Sequence, residues 1–342
     1  MRGLAVSLAV LAALAGCGRA ELRTYRQVVM GTEAAVTIDA DDETAAIDAA
    51  RIAFARMEAV EQALSDWRPS SDARRVEVRP GERVAASPWL VEALERSRVA
   101  FVATGGAFDP TVGPATRLWR KARAEGRVPD AAESAAAAAR IGFASVSWDR
   151  AAGWVSVEPG VQLDYGGLGK GLAAEAAVAA LGEAGHDRTL VAIAGDVRAG
   201  SPPRGRDGWR VAIDDPPGGD RPTVTLRDAS ISTSGDASQA IEAAGIRASH
   251  LVDPRAGRGS SRRIAVTVIG PDGAIVDALG TGLALLGPDD GLAALERSGL
   301  ASLGYSARFV TPEGVRSSPN FPRAVAGAAA TAAGSDSGRR AR

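Results

Sequence analysis

The segment Val276-Asp277-Ala278-Leu279-Gly280-Thr281-Gly282-Leu283-Ala284-Leu285-Leu286-Gly287 reads as an apolar helix whose side chains offer one carboxylate and one hydroxyl. Asp277 and Thr281 are four residues apart, so on a helix they share a face. A hard oxygen pair among aliphatic neighbours suits a Mg²⁺ that keeps waters and is completed by phosphates. The same residues also fit a plainer reading: an acid favoured by the dipole near a helix start, and a threonine bonded back to a carbonyl.

Upstream of this helix, helices and strands do not alternate strictly. Glu33 to Asp39 reads as a strand after a Met30-Gly31-Thr32 loop, and Asp41 to Leu64 carries Ile47, Phe54, Met57, Val60 and Leu64 at helical spacing. Pro88 to Ala103 reads as a helix stopped at Gly105-Gly106, with shorter helices at Thr116 to Glu125 and Asp130 to Arg140. A helix from Lys170 to Ala184 follows two strand candidates, Ala144 to Trp148 and Trp154 to Glu158. Further strands are predicted at 189–193, 209–213, 223–226, 230–233, 249–252 and 264–269. The pattern predicts an α+β fold of mixed or antiparallel sheets with packed helices, rather than a doubly wound parallel sheet.

At the N-terminus, Met1-Arg2-Gly3 precedes an apolar run and then Leu14-Ala15-Gly16-Cys17, the form of a bacterial lipoprotein signal. The run is too short to span a bilayer but fits a signal h-region. Residues 1–16 are therefore expected to be removed, with Cys17 lipidated, 17–28 a tether and 29–320 the folded domain. Residues 321–342, Ala-rich and then Gly-Ser-Arg-rich, are expected to be a disordered tail. The expected location is an exported, membrane-anchored lipoprotein facing the periplasm. Cys17 is the only cysteine, which excludes an intramolecular disulfide, a zinc cluster or a cysteine nucleophile. A net charge of −1 argues against a nucleic-acid partner.

Four segments could carry chemistry. Gly106-Ala107-Phe108-Asp109-Pro110-Thr111-Val112-Gly113-Pro114 is an irregular loop able to offer backbone groups and Asp109 to a flat ligand, or a structural Asx-turn before proline. Leu163-Asp164-Tyr165-Gly166-Gly167-Leu168-Gly169-Lys170-Gly171 runs through glycines into a helix, and could cradle an anion with Lys170 as a point charge or be only a tight turn. Ile231-Ser232-Thr233-Ser234-Gly235-Asp236 is a hydroxyl-rich turn. His250 stands before an Asp253-Pro254 turn, where strand ends deliver functional side chains.

Together these segments resemble the ApbE family of FAD:protein FMN transferases, in family order from about Met30 to Gly287. The shared motifs are Met-Gly-Thr, the serine segment at Trp67 to Arg75, Gly-Ala-Phe-Asp-Pro-Thr-Val-Gly, Leu-Asp with its glycines and Lys-Gly, Gly-Asp, Thr-Ser-Gly, Ser-His with Asp-Pro, and Asp with Thr four later. The resemblance implies Mg²⁺-assisted transfer of the FMN half of FAD to a Thr or Ser hydroxyl of an acceptor flavoprotein, with AMP leaving. It implies Asp277, Thr281 and the Gly167 carbonyl as metal ligands. It implies FAD contacts from Met30, Trp67, Ala107, Phe108, Asp109, Asp164 and Lys170. His250 would lie near the cofactor and, with Asp277, is a candidate catalytic group assisting the acceptor hydroxyl. Hydrolysis of FAD to FMN and AMP, and FAD carriage without turnover, are the rival readings. Three positions depart from the family pattern: Ala194 where glycine is usual, Ala237 where an aromatic is common, and Glu77 where asparagine is common.

Overall fold

Eight strands form one antiparallel sheet: β1 (Leu22–Val29), β2 (Thr32–Asp39), β3 (Thr189–Ile193), β4 (Asp196–Ala199), β5 (Ala229–Gly235), β6 (Ala265–Gly270), β7 (Ser306–Thr311) and β8 (Gly314–Ser317). Each strand pairs with its neighbours in this order, so the sheet is a meander with helices inserted in its connections. The structure, a computed structural model, describes residues 21–213, 222–235, 241–243, 246–248 and 251–323.

Two tight turns at the sheet's first half carry unusual backbone. Val29 pairs with Thr32, so Met30-Gly31 is a two-residue turn, and both residues have positive φ, 53° and 73°. That is the type I′ sign pattern, and a methionine is a costly occupant of it. Ile193 pairs with Asp196 across Ala194-Gly195, where Ala194 alone is positive at φ 51°. That is the type II′ pattern, which prefers glycine first; this explains the usual glycine at Ala194.

The helices are α1 (Glu43–Leu64), α2 (Asp72–Glu77), α3 (Pro88–Thr104), α4 (Gly113–Ala124), α5 (Ala131–Ala138), α6 (Gly169–Glu183), α7 (Gly273–Leu286) and α8 (Pro288–Arg297). Asp42 caps α1 through the amides of Thr44 and Ala45, and left-handed Gly105 ends α3. On one face of the sheet α6 crosses β3 and β4, and α7 crosses β5 and β6; α1 packs on α6 and on β1 and β2, and α3 packs on α7 and α1. The core between them joins Val36, Met57, Leu94, Leu172 and Ile193, with a second cluster of Val266, Leu279, Leu283 and Phe309 under α7. A hairpin, Trp209–Ala212 with Thr223–Leu226, covers Ile231 and Ile269 on the opposite face.

The antiparallel, helix-backed architecture agrees with the sequence expectation, with three corrections. The stretch expected as a tether is mostly β1, which pairs along its whole length with β2. Only Tyr25 and Val29 of that strand are buried, so its charged sequence looks like linker although it forms the sheet edge. At the other end Phe321 packs on the hairpin cluster and donates its amide to the Ser318 carbonyl at 3.0 Å, so the fold passes residue 320. Helix α7 begins at Gly273, earlier than expected, with Asp272 accepting from the Ile275 amide as its cap. Asp277 therefore lies in the second turn, which removes the reading of it as an N-terminal dipole residue. Of the expected strand 249–252, residues 249 and 250 lie outside the described residues, and Val252–Asp253 pairs with Arg258–Gly259.

Candidate active site

The loop 163–168 delivers the chain into α6 directly against α7. This close approach requires glycine at two points: a Cβ on Gly171 would meet the Gly273 carbonyl and stand 2.8 Å from Asp277 Cβ, and one on Gly167 would stand 2.5 Å from Thr281 Oγ1. Asp277 is 2% exposed, and its Oδ2 accepts from the Gly171 amide at 3.1 Å. Lys170 Nζ stands 3.5 Å from that same oxygen, 3.0 Å from Asp196 Oδ2 on β4, and donates to the Gly166 carbonyl at 3.2 Å. Thr281, one turn along α7, is half-buried beside Gly167.

Two buried carboxylates thus share one ammonium, and the site carries excess negative charge. Burial, and then the Asp196 charge, push the Asp277 carboxyl well above the ordinary carboxylate range; Lys170 and the Gly171 amide pull it back only in part. Burial alone would lower Lys170, but the Asp277 and Asp196 carboxylates outweigh it and hold the ammonium above its usual value. Asp196 Oδ1 is buried and has no hydrogen-bond partner among the described residues. An acid, a hydroxyl and a backbone segment, with an unfilled negative charge, fit a small hard cation that also takes substrate oxygens. Among the described residues no cluster of three or more His, Cys, Asp or Glu could hold a metal without such help.

A second group lies around Asp164. Its Oδ2 accepts from Thr116 Oγ1 at 2.6 Å and from Arg120 at 3.2 Å, and its Oδ1 accepts from the Gly166 amide at 2.8 Å, which holds the glycine loop. Arg120 also pairs with Asp66 and lies over the Trp67 ring, 4.7 Å from its centroid. Trp67 is 74% exposed, so one indole face is backed by a guanidinium while the side chain remains open to solvent. Met30 is anchored through its amide to Glu61 Oε2 at 2.9 Å, and its Cε approaches the start of α6 at Gly169.

The remaining expected residues are placed differently. Ala107 and Phe108 are buried, and Asp109 Oδ1 accepts from both the Thr111 amide (2.8 Å) and the Thr111 hydroxyl (2.6 Å). Asp109 therefore forms the Asx-turn, and burial raises its carboxyl above the usual range despite those bonds. Glu77, the departure from asparagine, is buried with a paired fork from Arg117 (2.9 and 3.1 Å), an ion pair to Arg74 and the Leu163 amide at 2.7 Å. It braces the loop that carries Asp164. His250, with Asp236 and Ala237, lies outside the described residues. Sequence reading gave no role to Asp196, Arg120 or Glu61. Arg120 was legible in principle, since it stands four residues after Thr116 on one helix face.

Fold and site together define an α+β protein whose helix-borne acid and hydroxyl fit a hard cation, with a lysine ammonium beside them. Residues 30–303 match the ApbE family, and the chain belongs to that family. It is 29% identical over 335 residues to the FAD:protein FMN transferase of Treponema pallidum, covering 91% of each chain. It is 31% identical over 290 residues to that of Klebsiella pneumoniae, covering 80% of this chain and 81% of the other. Among solved structures, the apo flavinyl transferase ApbE of Pseudomonas stutzeri superposes with a TM-score of 0.78 at 28% identity, covering 90% of this chain and 98% of that one. The ApbE protein of Thermotoga maritima gives a TM-score of 0.80 at 25% identity, covering 88% and 98%.

Proposed function

We infer that this chain transfers FMN from FAD to an acceptor protein. Membership of the ApbE family and relatives named FAD:protein FMN transferase over most of the chain support it. The observation that carries the chemistry is the convergence of Asp277, Thr281, Gly167 and the Lys170 ammonium at the junction of α6 and α7.

In finer detail, the acceptor is a Ser or Thr hydroxyl. Its oxygen bonds to the FMN phosphorus, the diphosphate P–O bond breaks, AMP leaves, and the hydroxyl proton passes to a base, for which His250 is the candidate. Mg²⁺ held by Asp277, Thr281 and the Gly167 carbonyl would neutralise charge developing on the diphosphate. Lys170 adds a fixed positive charge beside it. Trp67, backed by Arg120, presents a face on which a flavin or adenine ring stacks. The loop held by Asp164 and the turn at Met30 frame the start of α6, where amides favour phosphate. Lipidation at Cys17 would tether the domain to a membrane facing the periplasm. Among the described residues no helix is long and apolar enough to cross one.

The test mixes the protein, FAD, Mg²⁺ and a flavoprotein acceptor domain, and looks for covalent flavin fluorescence on a denaturing gel. Fluorescence that needs the protein and vanishes with chelator is expected; release of FMN without labelling would favour hydrolysis. Asp277→Asn should abolish labelling, a loss of at least about a thousandfold. It should fold normally, because Lys170 keeps Asp196 as its partner. Undiminished labelling by Asp277→Asn in saturating Mg²⁺ would remove the metal assignment.

A further inference from the structure

Asp196 opens β4 immediately after the Ala194-Gly195 turn and is 4% exposed. Its Oδ2 lies 3.0 Å from Lys170 Nζ, whereas the nearest oxygen of Asp277 lies 3.5 Å away. Its Oδ1 is buried without a hydrogen-bond partner among the described residues. The ammonium thus sits closer to Asp196 than to Asp277, and its third neighbour is the Gly166 carbonyl. Lysine is a point charge on a flexible stem. Deprived of Asp196, it has one buried carboxylate left to close upon. An ammonium closed on Asp277 would occupy the oxygens that a divalent cation needs and would repel that cation.

We propose that Asp196 is a positioning residue that draws the shared Lys170 ammonium toward itself and keeps it from closing further on Asp277, so that Asp277 can still take a divalent cation. The inference rests on the reading that Asp277 and Thr281 hold such a cation. Asp196 then explains the charge count of the site: two carboxylates share one lysine, and the surplus negative charge is left for the metal. The strained turn at Ala194 serves the same end, because it sets where β4 begins and where the Asp196 carboxylate enters the helix junction.

The test is a Mn²⁺ titration of the full chain followed by electron paramagnetic resonance of the free ion, alone and with ADP as a diphosphate that carries no flavin. Asp196→Asn should weaken Mn²⁺ binding by about tenfold or more, the range for a group that orients a metal ligand. Lys170→Met should bind Mn²⁺ at least as tightly as the parent. The double variant should return to within about threefold of the parent, which a merely structural role of Asp196 would not produce. Thermal unfolding of each variant verifies that it is folded. If the parent binds Mn²⁺ and Asp196→Asn binds it equally well, or if the double variant is no better than Asp196→Asn, the proposal is overturned while the metal site stands. A parent protein that takes up no Mn²⁺ even with ADP would remove both.

Discussion

Gly167 and Thr281 meet so closely that a methyl group on the glycine would stand 2.5 Å from the threonine Oγ1. The loop after Asp164 therefore has no room for any side chain where it passes α7. We expect Gly167→Ala to push the loop away from Thr281 and reduce flavin transfer by about a hundredfold, at a stability cost of only about 1–2 kcal/mol. Covalent flavin yield and a thermal melt on the same preparation measure the two effects. A loss of activity no larger than the loss of folded protein would show that this contact matters to folding alone.

Trp67 is exposed and backed on one face by Arg120. Trp67→Ala should weaken FAD binding by about tenfold, consistent with about 1.4 kcal/mol of ring stacking. Trp67→Phe should retain most of the affinity. Neither change should move the melting temperature, since the indole contributes little to the core. Flavin fluorescence quenching on titration gives the affinity; an unchanged value for Trp67→Ala would mean that the ring stacks elsewhere.

Asp109 holds the proline loop through Thr111, and burial lifts its carboxyl above the ordinary value. The folded state thus keeps this proton more tightly than the unfolded chain does. The group's contribution is therefore greatest below the unfolded pKa, about 4, and declines as pH rises through the raised folded value. Asp109→Asn keeps an acceptor for the Thr111 amide and removes the buried charge. Its melt should equal or exceed the parent's at neutral pH, with the advantage vanishing in acid; Asp109→Ala should cost about 1–3 kcal/mol. A pH series of thermal melts decides it, and a neutral-pH deficit for Asp109→Asn would be the wrong sign.

Ala194 occupies a backbone conformation that glycine adopts freely. Relief of the left-handed strain, about 1–2 kcal/mol, is offset in part by the greater freedom of glycine in the unfolded chain. Ala194→Gly should therefore stabilise the protein by up to about 1 kcal/mol, read as a small rise in melting temperature. A fall would indicate that the alanine methyl makes a packing contact that outweighs its strain.

The sequence revealed the middle of this fold well and its ends poorly. Strands such as 189–193 and 223–226 were legible because each buries alternate residues and ends at a turn signal. β1 was not, because an edge strand that exposes Arg26, Gln27 and Val28 in succession reads as a linker would. The folded domain was expected to run to residue 320, but no helix or strand after Gly287 was read, because α8 follows α7 across a single glycine and β8 is exposed along its length. Within the site, the spacing of Asp277 and Thr281 showed which side of the helix matters. The tertiary partner of Lys170 did not show, since Asp196 comes from a strand separated from it by the whole of α6. Asp109 drew notice as a possible ligand contact, yet its own two-residue turn accounts for the bonds seen at Oδ1.

β1 begins at Leu22 and is zipped into the sheet from its first residue. Were Cys17 lipidated, as proposed, residues 17–22 could span at most about 18 Å. Such a leash is only a few residues long. The enzyme would have to work crouched against its bilayer, and only acceptors that expose their hydroxyl close to the lipid headgroups would come within its reach.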